Sequence, residues 1–167
     1  MPITLSGDAK IYYEVHGSGP AAMLVHGSGG HHAAWWQQVA ALSPAYTVIT
    51  VDLRGFGNSR WEADHDARNF PGDIIAVLDA IAADGGPSRA VLVGQSIGAA
   101  AALKAALARP QVAAGVVLAH SLGGIANDEL AQLVRADRAE AEKLVAASKP
   151  TSWLSSQLHI LSHLARA

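Results

Sequence analysis

Short apolar runs alternate with segments of helical periodicity along the chain up to residue 119. Four runs are mostly apolar and have the length of strands buried on both faces, at residues 21–25, 46–53, 90–93 and 112–119. Segments with apolar residues at helical spacing lie between them, at residues 33–42, 73–83 and 99–108. This alternation predicts an α/β fold, with a mainly parallel sheet between helices in a three-layer α/β/α arrangement.

The two ends of the chain add further elements. Residues 3–5 and 10–15 predict an antiparallel hairpin at the edge of the sheet. Within residues 33–42, Trp35 and Trp36 are expected to pack into the core. After residue 124, two further helices are predicted at about residues 128–147 and 151–165. We therefore expect a core at residues 1–124 followed by a helical segment at residues 125–167.

Composition narrows the class of protein. The 167 residues are 50% hydrophobic and 16% charged, which suits one domain with a sizeable core. A net charge of −2 gives no support for binding to nucleic acid or to a membrane surface. The absence of cysteine excludes disulfides, thiolate metal sites and a cysteine nucleophile. No secretory leader or membrane-length apolar run is found, so a cytoplasmic location is expected.

The strongest chemical signal is Gly94-Gln95-Ser96-Ile97-Gly98, which stands between a predicted strand and a predicted helix. This G-x-S-x-G pattern is typical of a nucleophile elbow, a sharp turn that lifts a serine above the sheet. Ser96 is the candidate nucleophile, and the Ile97 N–H at the start of the helix is a candidate donor to an oxyanion. The alternative is a glycine-rich turn that contains an incidental serine.

A second glycine-rich loop, at residues 26–32, follows the first core strand. Its backbone N–H groups suit an oxyanion-binding loop. It also begins like a dinucleotide-binding loop, with Gly27 and Gly29 in place and Asp52 lying 25 residues beyond Gly27. His32 stands where the third glycine of that pattern belongs, so no dinucleotide cofactor is predicted.

Histidines raise the question of a metal site. His26, His31 and His32 share one loop, but no carboxylate lies at ligand spacing in the sequence. His159 and His163 are four residues apart on a predicted helix, without the glutamate of the zinc-protease pattern. No metal is therefore predicted.

Two further positions allow other assignments. Ser121 follows the last predicted strand in a near-elbow, Ala119-His-Ser-Leu-Gly123, and is the alternative nucleophile. Asp52 and Arg54 lie in the loop at residues 52–59, where we expect them to brace the backbone.

Three motifs in order carry a resemblance to a known family. They are His26-Gly27-Ser28-Gly29-Gly30, Asp52-Leu-Arg-Gly-Phe-Gly-Asn-Ser59 and Gly94-Gln-Ser-Ile-Gly98, each after a predicted strand. The chain resembles the α/β-hydrolase superfamily, in particular its branch of small bacterial esterases, haloperoxidase-like enzymes and carbon–carbon hydrolases. The resemblance covers residues 3–125, and the later helices resemble the start of the cap that follows the sixth strand.

The resemblance implies roles for particular residues. It implies Ser96 as nucleophile, and an oxyanion hole formed by the N–H groups of Ile97 and Ser28. His26 would support its loop and would not act as the base. Dehalogenases and epoxide hydrolases of the family carry an aspartate at the elbow, so Ser96 favours acyl transfer through an acyl-enzyme.

The chain departs from the family's pattern at its end. Family members continue beyond the cap with two strands that supply the catalytic acid and then the catalytic histidine. No segment after Ser121 has this pattern, and His120 is the candidate substitute base or pocket residue. The apolar strand at residues 112–119 would also keep an open edge, which is expected to pair with a second copy or with another chain.

Two functions are thus expected from the sequence. The first is a serine hydrolase of small esters or related acyl compounds, whose site is complete only with further C-terminal strands or a partner chain. The alternative is a non-catalytic hydrolase-like module, or half of a split enzyme, that pairs through its open sheet edge.

Overall fold

The structure is a computed structural model that describes residues 2–61, 66–121, 123, 124 and 143. One compact unit is Met1–Gly123, and a second, Gly124–Ala167, lies almost wholly outside the described residues. The predicted helices after residue 124, His159 and His163 therefore lie outside this part, and the boundary at residue 124 stays a prediction. No helix within the described residues is both long and apolar enough to cross a membrane.

Six strands form one sheet in the order β1-β2-β4-β3-β5-β6. β1 and β2 form an antiparallel hairpin, and β2 also pairs antiparallel with β4. The pairs β3–β4, β3–β5 and β5–β6 are parallel, which confirms the predicted α/β class with a mainly parallel sheet. The strands are Ile3–Ser6, Ala9–His16, Ala21–Val25, Thr47–Val51, Ala90–Gln95 and Ala113–Ala119, numbered β1 to β6 in that order.

The register of the three central strands brings the candidate loops together. Val25 at the end of β3 pairs with Val51 of β4 and with Gly94 of β5. Because these strands are parallel, the segments that follow them leave the sheet at the same edge. In open α/β sheets the carboxyl edge is where ligands bind.

Three α-helices accompany the sheet: α1 at Trp36–Leu42, α2 at Phe70–Ala83 and α3 at Ile97–Ala108. The predicted core face of α2 is confirmed, since Ile74, Val77, Leu78 and Ile81 are buried. α3 buries only glycine and alanine residues, so its backbone can lie close to the sheet.

Two predictions about burial are wrong. The predicted helix at residues 33–42 begins as a 3₁₀ turn at His32–Trp35, and neither that turn nor α1 has a buried residue. Trp36 is 67% exposed, so it does not pack into the core. β6 was expected to be covered on both faces, but none of its residues is buried. Its position at the edge of the sheet is the one predicted, within the described residues. An apolar run alone does not reveal whether neighbours are present to cover it.

A buried ion pair fixes the loop after β4. Arg54 Nε donates to Asp73 Oδ2 at 2.9 Å, and Nη2 donates to Asp73 Oδ1 at 2.6 Å. Arg54 is 4% exposed and Asp73 is not exposed at all. Arg54 Nη2 also donates to the Ser6 carbonyl at 3.1 Å, so one guanidinium joins the loop, α2 and the β1–β2 hairpin. The predicted bracing role of Arg54 is confirmed.

Loss of this guanidinium should destabilise the fold strongly. Arg54→Met keeps most of the aliphatic stem but leaves the Asp73 carboxylate buried without its partner. We expect the free energy of unfolding to fall by about 3–5 kcal/mol, measured by urea denaturation.

The matched control is Arg109→Met, which removes the exposed ion pair between Arg109 and Asp79. That change should lower the free energy of unfolding by at most about 1 kcal/mol, since water screens exposed ion pairs. Equal losses in the two variants would contradict the importance given to the buried pair.

Candidate active site

Ser96 occupies the turn between β5 and α3 in a strained conformation. Its backbone angles are φ 54° and ψ −117°, in a region that residues other than glycine rarely adopt. Strain of this kind costs about 1–3 kcal/mol and persists only where the surrounding structure fixes it. Here the Ser96 N–H donates to the Ala119 carbonyl at 3.0 Å, which extends the β5–β6 pairing by one residue.

The two glycines of the motif are required by close backbone contacts. A Cβ on Gly94 would overlap the Gly98 carbonyl and stand 2.5 Å from Ala99 N. A Cβ on Gly98 would overlap the His26 carbonyl and stand 2.5 Å from Val25 O. Because Gly94 has no side chain, α3 can fold back over β5. Because Gly98 has none, α3 can lie against the end of β3.

The glycine-rich loop after β3 lies directly against Ser96. A Cβ on Gly27 would stand 3.1 Å from Ser96 Cβ and 2.5 Å from Gln95 Oε1. The Gly27 N–H donates to Gln95 Oε1 at 3.0 Å, which fixes the loop to the elbow strand. Gln95 stands at a variable position of the G-x-S-x-G motif, so no pattern in the sequence points to this role.

His26 supports this loop through both ring nitrogens. Nε2 lies 3.0 Å from the Leu53 N–H and accepts it, so Nδ1 carries the proton and donates to the Gly27 carbonyl at 2.7 Å. The ring is 1% exposed, and this burial lowers its pKa below the ordinary value. A neutral ring held in this way is not available as a general base toward Ser96.

The two oxyanion donors predicted from the sequence flank this contact. Ser28 is half-buried in the tight turn that the hydrogen bond from Gly30 N to Gly27 O closes at 3.1 Å. Ile97 is the first residue of α3, where backbone N–H groups lack an acceptor within the helix. Their assignment as donors stays a prediction.

His120 lies on the adjacent strand end. It is exposed, has φ 49°, and directly follows Ala119, whose carbonyl accepts the Ser96 N–H. Ser121 follows it, and its Oγ accepts the Gly123 N–H at 3.1 Å. The left-handed conformation falls on His120 and not on Ser121, so the second near-elbow lacks the backbone geometry of the first.

Asp52 is not arranged to bind a ribose. It is fully buried and accepts the His32 N–H at 2.5 Å and the Asn58 N–H at 2.7 Å. These bonds join the loops after β3 and β4, which confirms the bracing role of Asp52 and counts against a dinucleotide site. Of the three histidines considered for a metal, His31 and His32 lie together with Asp52, while His26 is not part of that group.

Comparison with known proteins shows which family the chain is similar to and over which residues. The family model for the alpha/beta hydrolase fold matches residues 20–158. The chain is 33% identical over 152 residues to the pimeloyl-[acyl-carrier protein] methyl ester esterase of Vibrio atlanticus, which covers 91% of this chain and 48% of that protein. It is 40% identical over 105 residues to an epoxide hydrolase of Caballeronia sordidicola, with 60% of this chain and 31% of that protein covered.

Solved structures agree with the fold. The structure of Est816, an N-acyl homoserine lactone degrading enzyme, superposes with a TM-score of 0.64 at 31% identity. The match covers 70% of this chain and 44% of that one. The chain thus spans about half or less of the length of the relatives it matches.

Substitution of Gly94 tests the tightness of the elbow. Gly94→Ala places a methyl group against backbone atoms that cannot yield, so we expect a loss of at least about 1–3 kcal/mol in the free energy of unfolding. Chemical denaturation of the purified variant measures it.

Gly115→Ala in β6 is the matched control, because a Cβ there meets no atom within 4 Å. It should leave stability close to wild type. A Gly94 variant as stable as the Gly115 variant would disprove the close packing of the elbow.

Proposed function

The chain belongs to the α/β-hydrolase family, and from this membership we propose that it carries the nucleophile of a serine hydrolase acting on small esters or related acyl compounds. The observation that carries the proposal is the strained Ser96 turn, seated between the loop after β3 and the start of α3. A serine held half-exposed at such a junction can be approached by a substrate from the carboxyl edge of the sheet.

The proposed reaction proceeds through an acyl-enzyme. Ser96 Oγ attacks the carbonyl carbon of the ester and transfers its proton to a base. The oxygen that becomes negative accepts hydrogen bonds from the N–H groups of Ile97 and Ser28. The alcohol then leaves with the proton from the base, and water releases the acid by the reverse sequence of proton transfers.

His120 is the base that this part of the chain offers. The other described histidines each have a hydrogen-bond or ion-pair partner within the fold: His26 with Leu53, His31 with Ala33, His32 with Asp52, and His16 with Glu14. His120 is exposed and directly follows Ala119, the last residue of β6, which pairs with Gln95 of the elbow strand. A partner segment that supplies a histidine and an acid is the alternative source of the base.

The type of nucleophile favours acyl substrates over epoxides. Two of the relatives are named for ester or lactone chemistry, and one is named an epoxide hydrolase. A serine that forms an ester with the substrate suits acyl transfer, since water then attacks a carbonyl carbon. Small esters and lactones are therefore the substrates to examine first.

Covalent labelling tests the nucleophile. A fluorophosphonate probe should add one mass increment to the wild-type chain, detected by intact mass spectrometry. Ser96→Ala should abolish labelling, and the matched control Ser121→Ala should label like wild type. His120→Asn, which tolerates a left-handed backbone, should slow labelling by about 100-fold or more.

Two outcomes would contradict the proposal. Labelling lost only in Ser121→Ala would place the nucleophile at the second near-elbow. An unlabelled wild-type chain would mean that this chain alone does not assemble an activated serine, which favours the second function below.

A second function rests on the open edge of β6. No strand pairs with the far side of β6 within the described residues, and Val117 is 47% exposed. The strand is seven residues long and has neither a charged residue nor a proline, the usual protection of an edge strand. A second copy of the chain presents the same edge, so two copies can pair symmetrically. The chain would then act as an interaction module.

The mass of the particle in solution tests this pairing. We expect a dimer by light scattering coupled to size exclusion, and Val117→Lys should shift it to a monomer because charge on an edge strand opposes pairing.

Leu107→Lys is the control, since Leu107 is 71% exposed and lies on α3, outside the strand. It should leave the dimer intact. A monomeric wild type, or equal effects of the two lysines, would refute pairing through β6.

A further inference from the structure

His32 lies between two carboxylates, in a cluster outside the serine site. Its Nδ1 is 2.9 Å from Asp52 Oδ1 and 3.0 Å from Asp52 Oδ2. On the other side of the ring, Nε2 is 3.6 Å from Glu14 Oε1. The His31 ring stands next to it, with the ring centroids 5.2 Å apart.

A neutral His32 ring cannot donate a hydrogen bond to both of the carboxylates that face it. A neutral imidazole donates from one nitrogen only, and the other nitrogen carries a lone pair. With carboxylates on both sides of His32, that lone pair would face a negative charge. The conflict disappears if a cation lies between one nitrogen and its carboxylate, or if the ring carries a second proton.

We propose that His31, His32 and Asp52 bind one divalent metal ion of the zinc type. One ligand atom from each of these residues can be chosen so that all three lie within 4.8 Å of one another. Small side-chain movements would bring them to the closer spacing that ligands of a single ion adopt. Two imidazoles and one carboxylate form a donor set suited to Zn²⁺ and similar borderline cations. Three protein ligands leave one coordination position for water or another small ligand.

Glu14 completes the site by orienting His32. With Nδ1 on the metal, the ring proton is on Nε2 and points toward Glu14 Oε1. This is the carboxylate–histidine–metal arrangement that fixes the ring of a ligating histidine. Glu14 is itself held in place, because it accepts the Tyr12 hydroxyl at 2.6 Å and lies 3.1 Å from His16 Nε2.

The remaining ligands are arranged for access and rigidity. Asp52 is fixed by the backbone N–H groups of His32 and Asn58, and Gly57 leaves space for its carboxylate. His31 Nδ1 accepts the Ala33 N–H at 3.3 Å, so Nε2 is the nitrogen left for a metal. His31 is exposed, which gives an ion a route from solvent to the buried Asp52.

Zinc binding by the purified chain tests this site. Isothermal titration of metal-free wild type with Zn²⁺ should give a saturable site of one ion per chain. His31→Asn removes the imidazole but retains a side-chain oxygen to cap the 3₁₀ turn, so the fold should survive. Its affinity for Zn²⁺ should fall by at least about tenfold.

His120→Asn is the matched control, since it removes another exposed histidine of the same unit. It should bind Zn²⁺ as wild type does. The proposal is overturned if wild type shows no saturable site. It is also overturned if the two variants bind equally well, because the ion would then lie on other residues.

Discussion

The close approach of two backbones at the carboxyl edge of the sheet sets the geometry of the candidate active site. Gly98 at the start of α3 lies against the Val25 and His26 carbonyls, and Gly27 lies against Ser96. A Cβ on Gly98 would overlap backbone atoms, and a Cβ on Gly27 would stand 3.1 Å from Ser96 Cβ. The strained conformation of Ser96 is therefore held from both sides, by the end of β3 and by the hydrogen bond to Ala119 on β6. Strain of about 1–3 kcal/mol persists only where the surrounding structure fixes it, and these contacts are the ones that surround Ser96.

Buried polar groups then connect the loops around this contact. His26 joins the loop after β3 to the Leu53 N–H, and Asp52 joins the loop after β4 to the His32 N–H. Arg54 extends the connection to α2 through Asp73. Each group is buried and paired, so loss of one partner would leave an unsatisfied charge or donor in the core. The same groups that hold the loops in place bring His32 between Asp52 and Glu14, which is why a structural brace and a candidate metal site share residues.

The described unit carries the proposed nucleophile, and it also has an exposed strand edge. β6 positions His120 beside the elbow, yet its outer edge has no strand beside it among the described residues. The chain spans 48% of the length of the esterase to which it was compared. Catalysis and pairing are therefore connected, because a strand that paired with the outer edge of β6 would also lie next to His120, the proposed base.

Local sequence determined much of this protein. The alternation of apolar runs and helical segments predicted the α/β class, and the glycines around Ser96 predicted a turn too tight for side chains. These features depend on neighbours along the chain, so pattern and spacing suffice to find them. The sequence predicted the open edge of β6, but it did not show that Trp36 would be exposed or that no residue of β6 would be buried, because burial depends on which elements pack against them. It also did not show that Gln95 holds the Gly27 loop or that Asp52 and Glu14 flank His32. Those contacts join residues 18 to 68 positions apart, and only the register of the folded strands brings them together.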